Sequence, residues 1–239
     1  MKNPIIKIRD LSSGYGERLI IEDISFDIYE GDITVILGGS GSGKTTLLKN
    51  ILNLLKPKKG SIELYTNTRE ESAGADIKRD IGVLFQNGAL LNSLTVAENI
   101  AIPLEQHTSF NKEIIRQIVD LKLHLVNLAN AAYYFPSELS GGMKKRASLA
   151  RALALDPKLL FADEPNAGLD PFTSKSLDNL LLSLREKLGM SMVVVSHEVA
   201  SIKRIADRVI YLKNGKILFK GTLKKALSSD IEELNNFFL

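Results

Sequence analysis

The architecture expected for this chain follows from the stretch Ile33-Thr34-Val35-Ile36-Leu37-Gly38-Gly39-Ser40-Gly41-Ser42-Gly43-Lys44-Thr45. Its first five residues form a β-branched apolar run, which is typical of a strand buried on both faces of a parallel sheet. A glycine-rich loop follows, and a helix is predicted from Lys44 to Lys56-Pro57, with one apolar face made of Leu47, Leu48, Ile51, Leu52 and Leu55. A buried strand, a glycine loop and a helix in this order predict a phosphate-binding site.

The loop fits the pattern G-x-x-x-x-G-K-[ST], whose residue types suit phosphate groups. Glycines let successive backbone N–H groups turn inward at the positive end of a helix, Lys44 adds a point charge, and the Thr45 hydroxyl can ligate Mg²⁺. The nucleotide-binding candidates here are Gly38, Gly39, Ser40, Gly41, Ser42, Gly43, Lys44, Thr45 and Thr46. The competing interpretation is a glycine turn that binds nothing.

Patterns on both sides of this stretch predict an α/β fold with a mostly helical middle. Strands are predicted at Ile5–Leu11, Ile20–Tyr29, Ile62–Tyr65, Ile81–Phe85, Leu159–Ala162 and Ser191–Ser196. Residues from Val96 to about Leu155 are predicted to be helical with breaks at Pro103 and Pro136, and further helices are expected at Pro171–Leu188 and Glu198–Ala206. A final hairpin, Val209–Leu212 and Lys216–Phe219, is predicted from Asn214-Gly215, and Thr66–Asp80 is expected to be a surface loop.

Composition excludes several classes of function. Apolar residues make up 44% of the 239 residues, and 31 Lys and Arg against 28 Asp and Glu give a net charge of +3, which is too small to predict a nucleic-acid partner. Without cysteine there can be no disulfide or thiolate catalysis. No apolar run approaches the roughly 20 residues that span a bilayer, so no membrane crossing is expected. The N-terminal residues alternate in polarity and lack both a continuous apolar core and a small-residue cleavage site, so no secretion signal is expected.

A second chemical motif is the acidic pair Asp163-Glu164 at the end of an apolar strand. Parallel sheets present ligands at the carboxyl ends of their strands. Asp163 can hold Mg²⁺, and Glu164 can orient and polarise a water for attack on a γ-phosphate. Without the glycine loop, a solvated strand end or a helix cap would be the better interpretation.

A third motif is Leu139-Ser140-Gly141-Gly142-Met143, which precedes a predicted helix. Ser140 is expected to cap this helix, and the two glycines expose backbone N–H groups, so the helix start is a second anion site. The basic run Lys144-Lys145-Arg146 is interpreted, at least in part, as a solvated helix face, and no role is assigned to it.

Taken together, these motifs resemble those of ABC-type ATPases along nearly the whole chain, in the family's order. The resemblance implies a P-loop NTPase (RecA-like) core, with an N-terminal antiparallel β subdomain and an inserted α-helical subdomain. It matches Walker A at Gly38–Thr45, a Q-loop at Gln86, the signature at Leu139–Met143, Walker B at Leu159–Asp163, a D-loop ending at Asp170 and a switch histidine at His197. A P-loop kinase would leave the signature, Gln86 and His197 unexplained.

The resemblance also implies roles. Gln86 touches Mg²⁺ or the attacking water, His197 contacts the γ-phosphate, and Tyr15 stacks on adenine. Two subunits pair head to tail on ATP, so that Ser140, Gly141 and Gly142 contact ATP held by the other subunit. The alternatives are a polar strand end for Gln86, a structural histidine, and a tyrosine packed in a glycine turn; His107 and His124 are expected to be surface residues.

Within the family, the sequence resembles ATPases of MCE-associated (Mla-type) phospholipid transporters. The similar features are Met143 in place of the usual glutamine, Gly88-Ala89 after the Q-loop, and Ser93-Leu94-Thr95-Val96 before Glu98-Asn99. Methionine lacks an amide, so the contact in trans would depend on Ser140 and the two glycines. An ABC ATPase for another cargo, such as amino acids or lipoproteins, and a soluble non-transport ABC ATPase remain alternatives.

The phospholipid resemblance implies an ATPase at the cytoplasmic face of the inner membrane. Its partners would be a permease, whose helix lies near Ala89–Ser93, together with an MCE-domain protein and an accessory subunit. A methionine system often carries an extra C-terminal domain, and about twenty residues follow the last hairpin here.

The expected division is a nucleotide-binding core at 1–88 and 158–221, a helical subdomain at 89–157 and a tail at 222–239. In the tail, Ile231, Leu234, Phe237 and Phe238 share one face of a short helix. That face is expected to pack either across the dimer or on the subunit's own core.

Overall fold

The computed structural model describes residues 2–65 and 80–239, and within these ranges it is an α/β structure. Most of the expected loop at Thr66–Asp80 therefore lies outside the described residues. The chain divides into two compact units, Met1–Glu70 with Val193–Leu239, and Glu71–Met192. None of the described helices is both long enough and apolar enough to cross a membrane.

The first unit begins with an antiparallel sheet of three strands in the order β2-β1-β4. These are β1 (Pro4–Tyr15), β2 (Arg18–Tyr29) and β4 (Lys59–Leu64). Ile6 of β1 lies opposite Ile28 of β2 and Leu64 of β4, and both isoleucines are fully buried. The predicted antiparallel β subdomain is confirmed.

The same unit holds the strand that leads into the glycine loop. This strand, β3 (Ile33–Leu37), is buried at all five residues and pairs in parallel with β8 (Arg208–Lys213). On its other side β3 neighbours β7 (Ser191–Val195), of which residues 193–195 belong to this unit. The hairpin from β8 to β9 (Lys216–Thr222) turns at Asn214 and Gly215, whose φ values of 50° and 76° confirm the predicted turn.

The helices of the first unit are α1 (Lys44–Ile51), α6 (Val199–Ile205), α7 (Leu223–Leu227) and α8 (Glu232–Phe238). The prediction that α1 continues to Leu55 is wrong, because Leu52 is its C-cap and Asn53 takes a left-handed conformation with φ 54°. A left-handed residue ends a helix by turning the chain away from its axis. Leu54 is accordingly 64% exposed.

In the C-terminal tail, α8 packs on its own unit. Leu234 and Phe238 are buried, and the Phe237 ring meets Tyr211 of β8 edge-on at 5.8 Å. Lys203 Nζ donates to the Phe238 carbonyl oxygen at 2.8 Å. The amphipathic helix expected in the tail is present, and its apolar side contributes to the core of the subunit.

The second unit contains a parallel pair, β5 (Ile81–Leu84) and β6 (Leu159–Asp163), with Val83 opposite Phe161. Between them in sequence lie α2 (Val96–His107), α3 (Lys112–Leu125) and α4 (Gly141–Ala152), with 3-10 turns at Ala129–Ala131 and Pro136–Glu138. After β6 comes α5 (Pro171–Leu188). The α/β fold and the inserted helical subdomain are thus confirmed.

The predicted break at Pro103 is wrong, because α2 runs through this residue. Proline in a helix interior costs roughly 3 kcal/mol, since it removes one backbone hydrogen bond. Here the helix start is fixed by a capping box, in which the Thr95 N–H donates to Glu98 Oε2 at 2.7 Å and the Glu98 N–H donates to Thr95 Oγ1 at 3.3 Å. The helix also buries one side of its surface, including Ile100 and Leu104. The capping box and the buried side of the helix together offset the free-energy cost of the proline.

Candidate active site

The glycine-rich loop in the first unit has, at three glycines, a backbone conformation that other residues rarely adopt. Gly38, Gly41 and Gly43 have φ values of 149°, 76° and 104°. A Cβ on Gly38 would lie 2.3 Å from the Leu212 carbonyl oxygen, and one on Gly43 would lie 2.5 Å from Ile21 Cγ2. The loop therefore packs directly against neighbouring strands, which fixes its shape without a ligand.

Positive charge and unused donors line this loop. Lys44 Nζ donates to the carbonyl oxygens of Gly38 and Gly39 at 2.7 and 3.0 Å, so its ammonium lies over the loop. Helix α1 begins at Lys44 without a side-chain cap and without an acid in its first turn. Ser42 Oγ is buried and has no hydrogen-bond partner within 2–65 and 80–239. A helix start of this kind attracts anions, so the geometry suits a polyphosphate.

Tyr15 lies at the end of β1, beside the same helix. The residue is 48% exposed, and its hydroxyl accepts a hydrogen bond from Lys49 Nζ of α1 at 3.2 Å. The structure thus brings this aromatic side chain to the helix that starts at the glycine loop. An exposed ring at this place is available for stacking.

His197 follows β7 by two residues and is exposed. The preceding Ser196 is buried, and its Oγ accepts a hydrogen bond from the Glu198 N–H at 3.1 Å. Since β7 neighbours β3, the histidine follows the strand next to the one that carries the glycine loop.

The acidic pair in the second unit ends β6. Residues Leu159–Ala162 are buried, whereas Asp163 and Glu164 are half-buried. Glu164 has φ 46°, a left-handed conformation that costs a non-glycine residue about 1–3 kcal/mol and that clusters at functional sites. Its carbonyl oxygen accepts the Ala167 N–H at 3.2 Å.

Gln86 follows β5 by two residues and is exposed. The structure links it to Glu164 through Lys145 of α4, whose Nζ donates to the Gln86 carbonyl oxygen at 2.5 Å and to the Glu164 carbonyl oxygen at 3.1 Å. Lys145 is only 7% exposed. Burial lowers the pKa of Lys145, and the negative charges of Asp163 and Glu164 oppose this shift.

The interpretation of Lys144-Lys145-Arg146 as a solvated face, at least in part, holds for one of the three residues. Lys144 is exposed, but Lys145 is buried and Arg146 is half-buried. Arg146 donates to the Val126 carbonyl oxygen at 2.7 Å and to Ser176 Oγ at 2.9 Å. The run itself gave no sign of this, since a charged residue is buried only where the fold supplies acceptors.

Ser140 caps α4 as expected, because its Oγ accepts the Met143 N–H at 3.3 Å. Gly141 is exposed, and a Cβ on Gly142 would lie 2.5 Å from Thr173 Cγ2, so a larger residue at this helix start would have to displace the Thr173 side chain on α5. No acid lies in the first turn of α4. Its N–H groups remain suited to an anion.

Asp170 is the N-cap of α5. Its carboxylate accepts the N–H groups of Phe172 and Thr173, both at 3.0 Å, and the Thr173 hydroxyl at 2.5 Å. The hydrogen bonds from Thr173 are the main reason that the pKa of Asp170 lies below its usual value. In this structure the residue therefore stabilises its own helix.

The predicted site residues are divided between the units. The first unit contains Tyr15, the glycine loop and His197. The second unit contains Gln86, the signature, Asp163, Glu164 and Asp170. The predicted Mg²⁺ donors are the Thr45 hydroxyl, the Gln86 amide and the Asp163 carboxylate. Such oxygen donors fit an ion that usually takes one or two carboxylates, waters and substrate phosphates.

Comparisons with known proteins agree with these motifs. A family model described as ABC transporter matches residues 21–167. The chain is 39% identical over 234 residues to the intermembrane phospholipid transport system ATP-binding protein MlaF of Haemophilus influenzae, covering 96% of this chain and 88% of that protein. It is 38% identical over 229 residues to the methionine import ATP-binding protein MetN of Brucella abortus, covering 95% of this chain and 62% of that protein.

A solved structure is similar over most of the chain. The dimeric, post-hydrolysis state of the ATP-binding cassette MJ0796, bound to ADP and phosphate, is matched with a TM-score of 0.78 and 33% identity, covering 91% of this chain and 98% of that one. The chain therefore belongs to the ABC transporter family and is one of its ATP-hydrolysing cassettes.

Proposed function

We propose that this ATPase powers phospholipid transport between the inner and outer membranes through a separate permease. The observation that carries the proposal is the 39% identity to MlaF over nearly the whole chain. The sequence supports it where Met143 ends the signature and where Gly88-Ala89 follows the Q-loop, as in MCE-associated ATPases. The sequence identity to the methionine import ATP-binding protein MetN is almost as high, at 38%. Sequence identity therefore does not distinguish the two cargos, and an experiment is needed.

We assign nucleotide binding to the first unit. The N–H groups of the glycine loop bind the β- and γ-phosphates, Lys44 swings from the carbonyls of Gly38 and Gly39 onto phosphate oxygens, and Tyr15 stacks on adenine. Thr45, Gln86 and Asp163 would hold Mg²⁺. When bound, this ion neutralises phosphate charge and orients the β- and γ-phosphate oxygens.

Hydrolysis is assigned to three side chains. Glu164 orients a water and accepts its proton as the water attacks the γ-phosphorus, Gln86 hydrogen-bonds that water, and His197 donates a hydrogen bond to the γ-phosphate. A positioned base of this kind contributes about 10²- to 10⁴-fold to the rate.

The functional assembly is proposed to be a head-to-tail homodimer on ATP. Ser140, Gly141 and Gly142 of one subunit close over the γ-phosphate in the other, with Asp170 at the subunit interface; the dimeric state of the cassette MJ0796 supports this arrangement. The assembly is proposed to lie at the cytoplasmic face of the inner membrane. Its further partners are a permease that binds near Ala89–Ser93, an MCE-domain protein and an accessory subunit.

A second candidate is the ATPase of an importer for a small polar cargo, favoured by the 38% identity to MetN. The two differ in what accompanies the ATPase. The phospholipid resemblance implies an MCE-domain protein as a partner, whereas an importer for methionine would need a partner that recognises an amino acid.

The test is purification of the tagged chain, with its partners, from membranes of its own cells in mild detergent. Partners are identified by mass spectrometry, and lipid is measured after the MCE-domain protein has been separated from the permease, because any membrane protein retains some surrounding lipid. We expect phospholipid bound to that separated protein. The proposed cargo would be wrong if an amino-acid-binding protein, a ribosome or DNA copurified instead of an MCE-domain protein.

A further inference from the structure

We propose that Lys145 is a positioning residue for ATP hydrolysis, which holds the backbone at Gln86 and at Glu164 in the geometry that catalysis needs. The inference rests on the proposed roles of these two residues. It adds a third residue, which contacts neither the nucleotide nor the attacking water and acts through the two that do.

The first support is the face of α4 on which Lys145 lies. Lys145, Ser148 and Arg151 are spaced by three residues and so share one side of the helix. Arg151 donates to the carbonyl oxygens of Gly88 and Ala89 at 2.9 and 2.6 Å. A Cβ on Gly88 would lie 2.5 Å from Ser148 Oγ. The segment that starts at Gln86 therefore lies along this face and is held at several points.

The second support is that the Lys145 ammonium joins two chain segments. Its Nζ reaches the Gln86 carbonyl oxygen at 2.5 Å and the Glu164 carbonyl oxygen at 3.1 Å. An ammonium group has three donors, so it can serve both acceptors at once. Hydrogen bonds from a charged donor are stronger than neutral ones, and the side chain is 7% exposed, so water competes weakly.

The third support is the backbone at Glu164. Its left-handed conformation, with φ 46°, persists only where surrounding contacts hold it. Lys145 Nζ and the Ala167 N–H both donate to its carbonyl oxygen. Without the ammonium, one of these contacts is lost, and the carboxylate shifts relative to the water that it orients.

This helix also carries the signature motif at its start. Lys145 lies five residues after Ser140, which is proposed to contact the ATP held by the other subunit. A rigid α4 therefore connects that contact to the segments at Gln86 and Glu164 of its own subunit. Lys144, its neighbour, points to solvent and provides a matched control.

The test compares Lys145→Met, which keeps the length without the donors, Lys145→Arg, which keeps donors, and Lys144→Met. ATP affinity is measured with a fluorescent ATP analogue, and kcat is measured at saturating ATP and saturating protein. Thermal unfolding shows whether each variant is folded. Saturating protein ensures that weaker dimerisation is not scored as slower chemistry. A displacement of about 1 Å can cost about 10²-fold in rate.

We expect Lys145→Met to lower kcat about 10- to 100-fold while nucleotide affinity changes less than about threefold, and we expect Lys145→Arg to recover most of the loss. The proposal is overturned if Lys145→Met keeps wild-type kcat, if Lys145→Arg is as slow as Lys145→Met, or if Lys144→Met is equally slow. Should Lys145→Met not fold, Lys145→Gln replaces it, because its shorter amide cannot reach both carbonyls. A wild-type protein that does not hydrolyse ATP would instead refute the proposed roles of Gln86 and Glu164 in hydrolysis.

Discussion

Alanine substitutions in the glycine loop should destabilise the free protein in a graded order. Gly39 lies outside the left-handed region and a Cβ there meets nothing within 4 Å, so we expect a change within about 0.5 kcal/mol. Gly41 has φ 76° and open space, so alanine costs about 1–2 kcal/mol from its backbone alone. Gly43 has φ 104° and a Cβ that would lie 2.5 Å from Ile21 Cγ2, which adds about 1–3 kcal/mol for overpacking.

The assay is urea unfolding without nucleotide, followed by fluorescence and circular dichroism, with the free energy of unfolding compared among the three variants. Working without nucleotide separates the conformation of the loop from any clash with a phosphate. Equal stability for all three variants, or a larger loss for Gly39→Ala than for Gly43→Ala, would refute the loop geometry. Nucleotide affinity should follow the same order for Gly41 and Gly43.

Three further predictions concern residues outside the loop. Tyr15→Ala should weaken nucleotide binding by about 1–3 kcal/mol, the scale of base stacking, with Tyr15→Phe near wild type; an unchanged dissociation constant would favour a structural tyrosine. Leu234→Ala should lower the free energy of unfolding by about 2–5 kcal/mol in urea because the side chain is fully buried, whereas exposed Asn235→Ala should change little. Thr173→Val should raise the pKa of Asp170 towards its usual value, which an NMR titration would measure. The charged carboxylate that caps α5 at higher pH should then be protonated, and the cap lost, at a higher pH than in the wild type.

The sequence predicted the elements that a strong local pattern defines. The β-branched run at Ile33–Leu37 predicted a buried strand, and the glycine pattern after it predicted the loop and the start of α1. The helix predicted at Pro171–Leu188 has these bounds in the structure, where Asp170 caps its start and Gly189, in a left-handed conformation, follows its end.

The sequence could not predict features that depend on tertiary contacts. Pro103 has the local character of a helix break, and only the buried side of α2 and its capping box overcome it. Lys145 has the local character of a surface lysine, and it is buried because the carbonyls of Gln86 and Glu164 come together beside α4. Such acceptors belong to segments far apart in sequence, so no pattern around the lysine reveals them.

The most direct test of the account is the ATP turnover of Glu164→Gln. The substitution keeps the size and position of the side chain and removes its ability to accept a proton from water. We expect ATP binding at wild-type affinity and hydrolysis lower by about 10²- to 10⁴-fold, the contribution of a positioned base. Turnover at the wild-type rate would contradict it, because the base would then lie elsewhere in the structure.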